Sequence, residues 1–180
     1  MTVRFAIRAY RPEDFRRLWE IDQACFPPGI SYTQFELKTY IRHPSSFTLV
    51  AEQTGSDQRA VPDKTDRTDK TEEAFQTSEV LGFLVANRAA SGRGHIITID
   101  VRKNGRRFGI GSALLNSAEE QFRAAHCAVV RLETAVDNVA ALSFYKRHGY
   151  TVIKSIPRYY SNGVDALLLE KDLHSPLPSR

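Results

Sequence analysis

The chain has 180 residues, of which 42% are hydrophobic and 26% charged, with a net charge of +4. That is enough for one domain with its own core, and no apolar run approaches the roughly 18 residues that a membrane-spanning helix needs. Cys25 and Cys127 are the only cysteines and have no metal-ligand spacing, so the reading is no disulfide framework, no metal and a reducing cytoplasm.

The N-terminal MTVRFAIRAYRPEDF is too interrupted by charge for a signal peptide. Alternation over Val3–Ala9 predicts a strand. Pro12 then opens a helix to Cys25, with Phe15, Leu18, Trp19 and Asp22 at helical spacing. FPPGIS breaks it, and Tyr32–His43 reads as a second helix capped by Ser31. A strand over Ser46–Glu52 leads into residues 53–79, where DKT, DRT and DKT repeat among seven acids and four bases. Such a composition cannot bury enough surface to order itself and is read as a mobile insertion between strands.

Strands follow over Val80–Arg88 and His95–Val101, joined by a turn containing Gly92 and Gly94. After RRFGIG comes a helix of about 15 residues with Gly111, Leu115, Ala118 and Phe122 on one stripe. Val129–Thr134 is a strand, Asp137 or Asn138 caps the short helix VAALSFYKRH, and Gly149 ends it. Strands over Tyr150–Ile156 and Val164–Glu170 close the domain, taken as residues 1–173, and residues 174–180 read as a disordered tail. Together these make an α/β (α+β) fold around a mixed, largely antiparallel sheet.

Two glycines before a helix suit a ligand that comes close to the backbone, and free N–H groups at the helix start suit a phosphate. RRFGIG lacks the Lys-Ser/Thr pair of a Walker loop and the third glycine of a dinucleotide fingerprint. Asn138 and Tyr145, two helical turns apart, share a face of their helix. Basic residues gather at this loop rather than along a face with interleaved aromatics, which argues against nucleic acid.

The pattern R-x-x-G-x-G from Arg106 to Gly111, the strand ITIDV before it and RLETAVDNVAALSFYKRHGY after it resemble the GNAT superfamily of acetyl-CoA-dependent N-acetyltransferases. PRYYSNGVDALLLEKDL resembles the C-terminal hairpin of RimI-type protein N-alpha-acetyltransferases. The resemblance implies about seven strands flanked by about four helices. It implies acetyl-CoA as cofactor, with its pyrophosphate on the loop Arg106, Arg107, Phe108, Gly109, Ile110, Gly111 and Ser112. Asp100, Val101, Arg102 and Lys103 would hold the pantetheine arm and the thioester carbonyl, and Asn138 would bind the pantetheine. Lys103 and Asp100 depart from the usual proline and small residue.

By the same resemblance Tyr145 is the acid for the leaving sulfur, and tyrosine keeps its proton at neutral pH. Glu133 is the general base. Its bland alternative is a strand-end salt bridge to Arg131 or Arg158. A carboxylate relieves an α-amine, of pKa near 8, more easily than a lysine near 10.4, which favours a protein or peptide N-terminus as acceptor. Ribosomal proteins are one such acceptor class. Arg158, Tyr159 and Tyr160 are the substrate-side residues, and adjacent tyrosines in a strand would place only one at the site. His95, His126 and His148 are given core or surface roles. The expected state is a monomer or weak homodimer off the membrane. The alternatives are a small-amine acetyltransferase and a non-catalytic acyl-CoA-binding module.

Overall fold

The structure, a computed structural model, describes residues 3–54, 79–89 and 91–174. The expected insertion, apart from its ends Gln53, Thr54 and Glu79, lies outside the described residues, as do residues 175–180 of the tail. The elements in chain order are β1 (Phe5–Ala9), α1 (Phe15–Cys25), α2 (Gln34–Arg42), β2 (Ser46–Gln53), β3 (Val80–Ala89), β4 (Arg93–Val101), α3 (Ile110–Ala124), β5 (Val129–Ala135), α4 (Val139–Arg147), β6 (Thr151–Ile156) and β7 (Ala166–Asp172). Short 3-10 turns, Pro12–Asp14 and Lys103–Gly105, precede α1 and follow β4.

All strands join one sheet in the order β1-β2-β3-β4-β5-β7-β6. Every pairing is antiparallel except β4 with β5. That parallel pair is connected through α3, as a parallel pair requires a crossover. The run VLGFLVA of β3 is apolar without alternation because the strand is covered on both faces. Leu81, Leu84 and Ala86 face α3 and α4, while Phe83 and Val85 face Leu18 and Ile21 of α1 and Leu37 of α2.

On α3 the buried stripe is Ile110, Leu114, Leu115, Ala118 and Phe122. Each large side chain fully buried there contributes about 2 kcal/mol of apolar transfer. Gly94 lies inside β4, not in the turn before it. A Cβ at Gly94 would sit 2.6 Å from the Phe122 ring, so the helix and strand approach too closely for any side chain there. The cap of α2 also differs from the sequence reading. Thr33, not Ser31, accepts the Glu36 N–H at 3.2 Å, and Glu36 in turn accepts the Thr33 N–H at 2.8 Å. This is a reciprocal capping box of the T-x-x-E type.

β4 and β5 pair only from Arg93↔Val129 to Ile96↔Leu132. Beyond that rung β4 runs on to Val101 and β5 to Ala135 without pairing to each other. The register between β3 and β4 slips between Val85 and Ala86, leaving Ile97 as the extra residue of a bulge. A bulge bends its strand and increases its twist, and this one falls where β4 leaves β5.

Candidate active site

The diverging strands open a cavity of about 520 Å³. Its walls come from both faces of the sheet. On the α3/α4 face are Val101, Gly111, Asn138, Phe144 and Tyr145; on the opposite face are Phe26, Pro27, Tyr32, Glu133 and Tyr160. The split therefore connects two layers that an intact sheet would separate.

At one end of the split, the chain turns from β4 into α3. Arg107 and Gly109 have φ of 67° and 83°, and Gly109 occupies the cap position with no side-chain cap. The first-turn N–H groups of Ile110, Gly111 and Ser112 have no acceptor within the helix. Among the described residues a Cβ on Gly109 would meet nothing within 4 Å, and one on Gly111 would meet the Phe144 ring at 3.5 Å and Val101 Cγ2 at 3.8 Å. These two positions are open or loosely contacted among the described residues, and a row of N–H groups at a helix start fits a pyrophosphate. The basic residues differ in what they reach. Arg106 Nε donates to the Val101 carbonyl at 3.1 Å and Nη2 to Cys25 Sγ at 3.6 Å. Arg102 is paired with Glu79, whereas Lys103, Arg107 and Phe108 are exposed.

Tyr145 enters the cavity from α4 and is 5% exposed. Burial first, then Asp100 and Tyr160, push its hydroxyl above the usual tyrosine range, so it keeps its proton. Asn138 lines the cavity while its Oδ1 accepts the Ala141 N–H at 3.1 Å, which makes it, rather than Asp137, the cap of α4. Ser112 Oγ lies 3.0 Å from His148 Nε2 and links α3 to α4.

Glu133 faces the cavity from the other layer, and its carboxylate lies 2.7 Å from His95 Nε2. Neither expected salt-bridge partner is used. Arg131 pairs with Glu170 at 2.5 Å, and the Arg158 backbone N–H donates to Asp165 at 2.7 Å. The sequence reading gives His95 a core or surface role and not this contact, because its approach to Glu133 depends on the parallel register.

Asp100 lies next to the end of β4 and is not among the residues that line the cavity. It is 1% exposed, its Oδ1 accepts the Thr98 hydroxyl at 3.1 Å and, among the described residues, its Oδ2 has no partner. Burial and then neighbouring Asp22 hold it well above the usual carboxylate range. Asp22, fully buried on α1, is pushed up to about 6, chiefly by burial.

Asp22 also organises the loop between α1 and α2. Its Oδ2 accepts the Tyr32 N–H at 2.9 Å, while Trp19 Nε1 and Gln23 Nε2 donate to the Tyr32 carbonyl at 3.2 and 2.8 Å. The Tyr32 hydroxyl donates to the Ile97 carbonyl at the bulge, at 3.3 Å. This clamp presents Phe26, Pro27 and Ile30 to the cavity, a wall that the sequence reading took only for a helix break. Across the mouth, Ser161 Oγ donates to the Gly29 carbonyl at 3.1 Å. Tyr159 and Tyr160 lie in the loop between β6 and β7, not in a strand. Their rings meet edge to face at 5.0 Å, and of the two only Tyr160 lines the cavity; Arg158 does not. Burial, then Glu133, pushes the Tyr159 hydroxyl up to about 12. Among the described residues no group of three His, Cys, Asp or Glu side chains could hold a metal ion.

A sequence profile of the acetyltransferase (GNAT) family matches residues 15–150. The chain belongs to the GNAT family. Within it, an uncharacterized N-acetyltransferase of Methanocaldococcus jannaschii is 43% identical over 101 residues, covering 54% of this chain and 65% of that protein. An N-alpha-acetyltransferase of Sulfurisphaera tokodaii is 37% identical over 82 residues, 45% of this chain and 49% of its own. The chain thus spans less than two thirds of the length of either relative. Crystalline Ard1 from Thermoplasma volcanium superposes with a TM-score of 0.75 at 25% identity, covering 96% of this chain and all of that one. The seven strands and four helices match the expected architecture and the fold of that neighbour.

Proposed function

We propose that this chain is an acetyl-CoA-dependent N-acetyltransferase whose acceptor is the N-terminal α-amine of a protein or peptide. The observation that carries the reading is the placement of Glu133 and Tyr145 on one cavity, entering from opposite layers through the gap between β4 and β5. Family membership and the names of the relatives support it.

The N–H groups from Arg107 to Ser112 would hold the pyrophosphate, with Arg106 and Lys103 adding positive field. The open end of β4 at Asp100 and Val101 and the turn that follows it through Lys103, with Asn138, would hold the pantetheine arm. Acetyl-CoA, when bound, supplies an acetyl group as a thioester whose sulfur departs as a thiol. Glu133 takes the proton that an incoming ammonium must lose before its nitrogen can attack. Tyr145, kept protonated by its burial, donates to the departing sulfur from the other side of the sheet. The aromatic and proline wall of Phe26, Pro27, Tyr32 and Tyr160 excludes water and grips the first residues of the acceptor. Tyr159 and Arg158 border that mouth. Among the described residues no helix is long and apolar enough to cross a membrane, and we place the enzyme in the cytoplasm as a monomer or weak dimer. The domain is taken as residues 1–173, and a ribosomal protein is one fitting acceptor.

Thiol release from acetyl-CoA, measured against peptides with free N-termini, N-blocked peptides carrying lysine, and polyamines, tests the reading. Turnover with free N-termini that falls about a hundredfold or more in Tyr145→Phe supports it, in line with the usual contribution of a general acid. Turnover confined to polyamines or to lysine would move the acceptor class, and tight acetyl-CoA binding without any turnover would leave a binding module.

A further inference from the structure

Glu133 stands at a particular point of the fold. It is the first residue of β5 past the last rung shared with β4, so its backbone has lost the parallel neighbour that fixes Leu132. His95 is on the near side of that rung, paired with Arg131 and held by β3 through Asn87 on its other flank. The two side chains straddle the vertex of the split, with Nε2 and Oε2 2.7 Å apart. An ionised carboxylate only accepts hydrogen bonds, so Nε2 carries the proton between them. Among the described residues Oε1 of Glu133 has no hydrogen-bond partner, and the residue lines the cavity. Arg131, the cation directly opposite His95, is occupied by Glu170.

We propose that His95 is a positioning residue for Glu133, anchoring Oε2 from the rigid part of the sheet so that Oε1 is presented to the acceptor amine. The inference rests on the acetyltransferase reading above and adds a residue to it. On the flank of β5 that β4 has left, with β7 pairing the opposite flank, the carboxylate would otherwise sample several rotamers, and a base works only within hydrogen-bonding reach of its proton. His95 is not among the residues that line the cavity, and its ring meets Oε2 rather than Oε1.

The test compares His95→Phe, His95→Gln and Glu133→Gln with the full-length wild type, each checked for fold by thermal melting. For a free N-terminal peptide, kcat should fall about tenfold to a hundredfold in His95→Phe with the KM for acetyl-CoA unchanged. His95→Gln, which keeps a nitrogen donor, should recover most of that loss. A peptide ending in an aminooxy group, which is unprotonated at neutral pH, should be acetylated by His95→Phe with a much smaller loss, because no proton need be removed before attack. A His95→Phe enzyme as fast as wild type beside an inactive Glu133→Gln would overturn the proposal alone. Equal losses with both acceptors, or a loss in KM for acetyl-CoA, would show a structural role and also overturn it. A wild type with no turnover on any amine would remove the acetyltransferase reading, and this inference with it.

Discussion

At the scale of single residues, Asp22 shows how one side chain serves the site through a backbone. It is fully buried and, among the described residues, one of its oxygens is unpaired, yet the other fixes the Tyr32 N–H. Its carboxyl is raised from 3.8 to about 6, so the native state holds this proton more tightly than the unfolded chain does. The group's contribution to stability is then greatest below about pH 4 and is lost as pH rises through about 6. Asp22→Asn removes the titration while an amide oxygen can still accept from Tyr32. Relative to wild type, the variant should gain about 3 kcal/mol between pH 4 and 7, read from urea unfolding at each pH. A stability difference independent of pH would show that Asp22 stays ionised in the fold. At this scale the sequence was only partly legible. Glu133, Tyr145 and Asn138 were visible from spacing and resemblance. Asp22 was placed on a helical stripe by its period, but a period does not reveal which backbone amide a carboxylate will meet. His95 was invisible for a related reason, since its partner lies 38 positions away and only strand register brings them together.

At the scale of elements, the strands and helices could be read because their periodicities were strong, and the errors fell at their ends. Thr33 rather than Ser31 caps α2, although the T-x-x-E signal was present. Gly94 was assigned to a turn because a glycine pair separated by one residue reads as turn chemistry. It is a packing glycine instead, set in β4 beneath the ring of Phe122. Gly94→Ala should destabilise the fold by about 1–3 kcal/mol, as overpacked core positions do. Adding Phe122→Leu should cost less in the Gly94→Ala background than in wild type, and a double-mutant cycle by urea unfolding measures that coupling. Additivity of the two changes would mean that helix and strand separate freely. The contrast with Gly109 is instructive: there the added methyl meets nothing, but the backbone sits at a φ of 83° that disfavours any other residue.

At the scale of the whole molecule, sheet order and the split were not legible. Alternation reports which residues face inward, but says nothing about where two strands part company. That depends on a bulge at Ile97 and on Tyr32 bonding to its carbonyl, contacts between segments 65 residues apart in the chain. The ends of the polar segment give another whole-molecule expectation. Gln53 N–H donates to the Glu79 carbonyl at 2.8 Å, and Thr54 N–H to the Arg4 carbonyl at 2.9 Å. β2 and β3 therefore remain zipped up to the point where the polar segment begins. Replacing residues 55–78 by a short Asn-Gly hairpin turn should leave the melting temperature within a few degrees and peptide acetylation intact, because that turn closes antiparallel strands directly. Loss of activity with the melting temperature retained would assign the segment a part in acceptor binding.

The single parallel pairing has a mechanical meaning as well. Four rungs, from Arg93 to Ile96 on one side and Val129 to Leu132 on the other, stitch an N-terminal sheet of four strands to a C-terminal sheet of three. Beyond those stitches the halves are tied by the packing of α3, by the His95–Glu133 contact and by Ser161 on Gly29. A ligand seated in the wedge touches the loose end of both strands at once and takes the place of the missing rungs. Occupancy and cohesion thereby become one equilibrium: whatever fills the wedge acts as a keystone, and the molecule is strongest while it is at work.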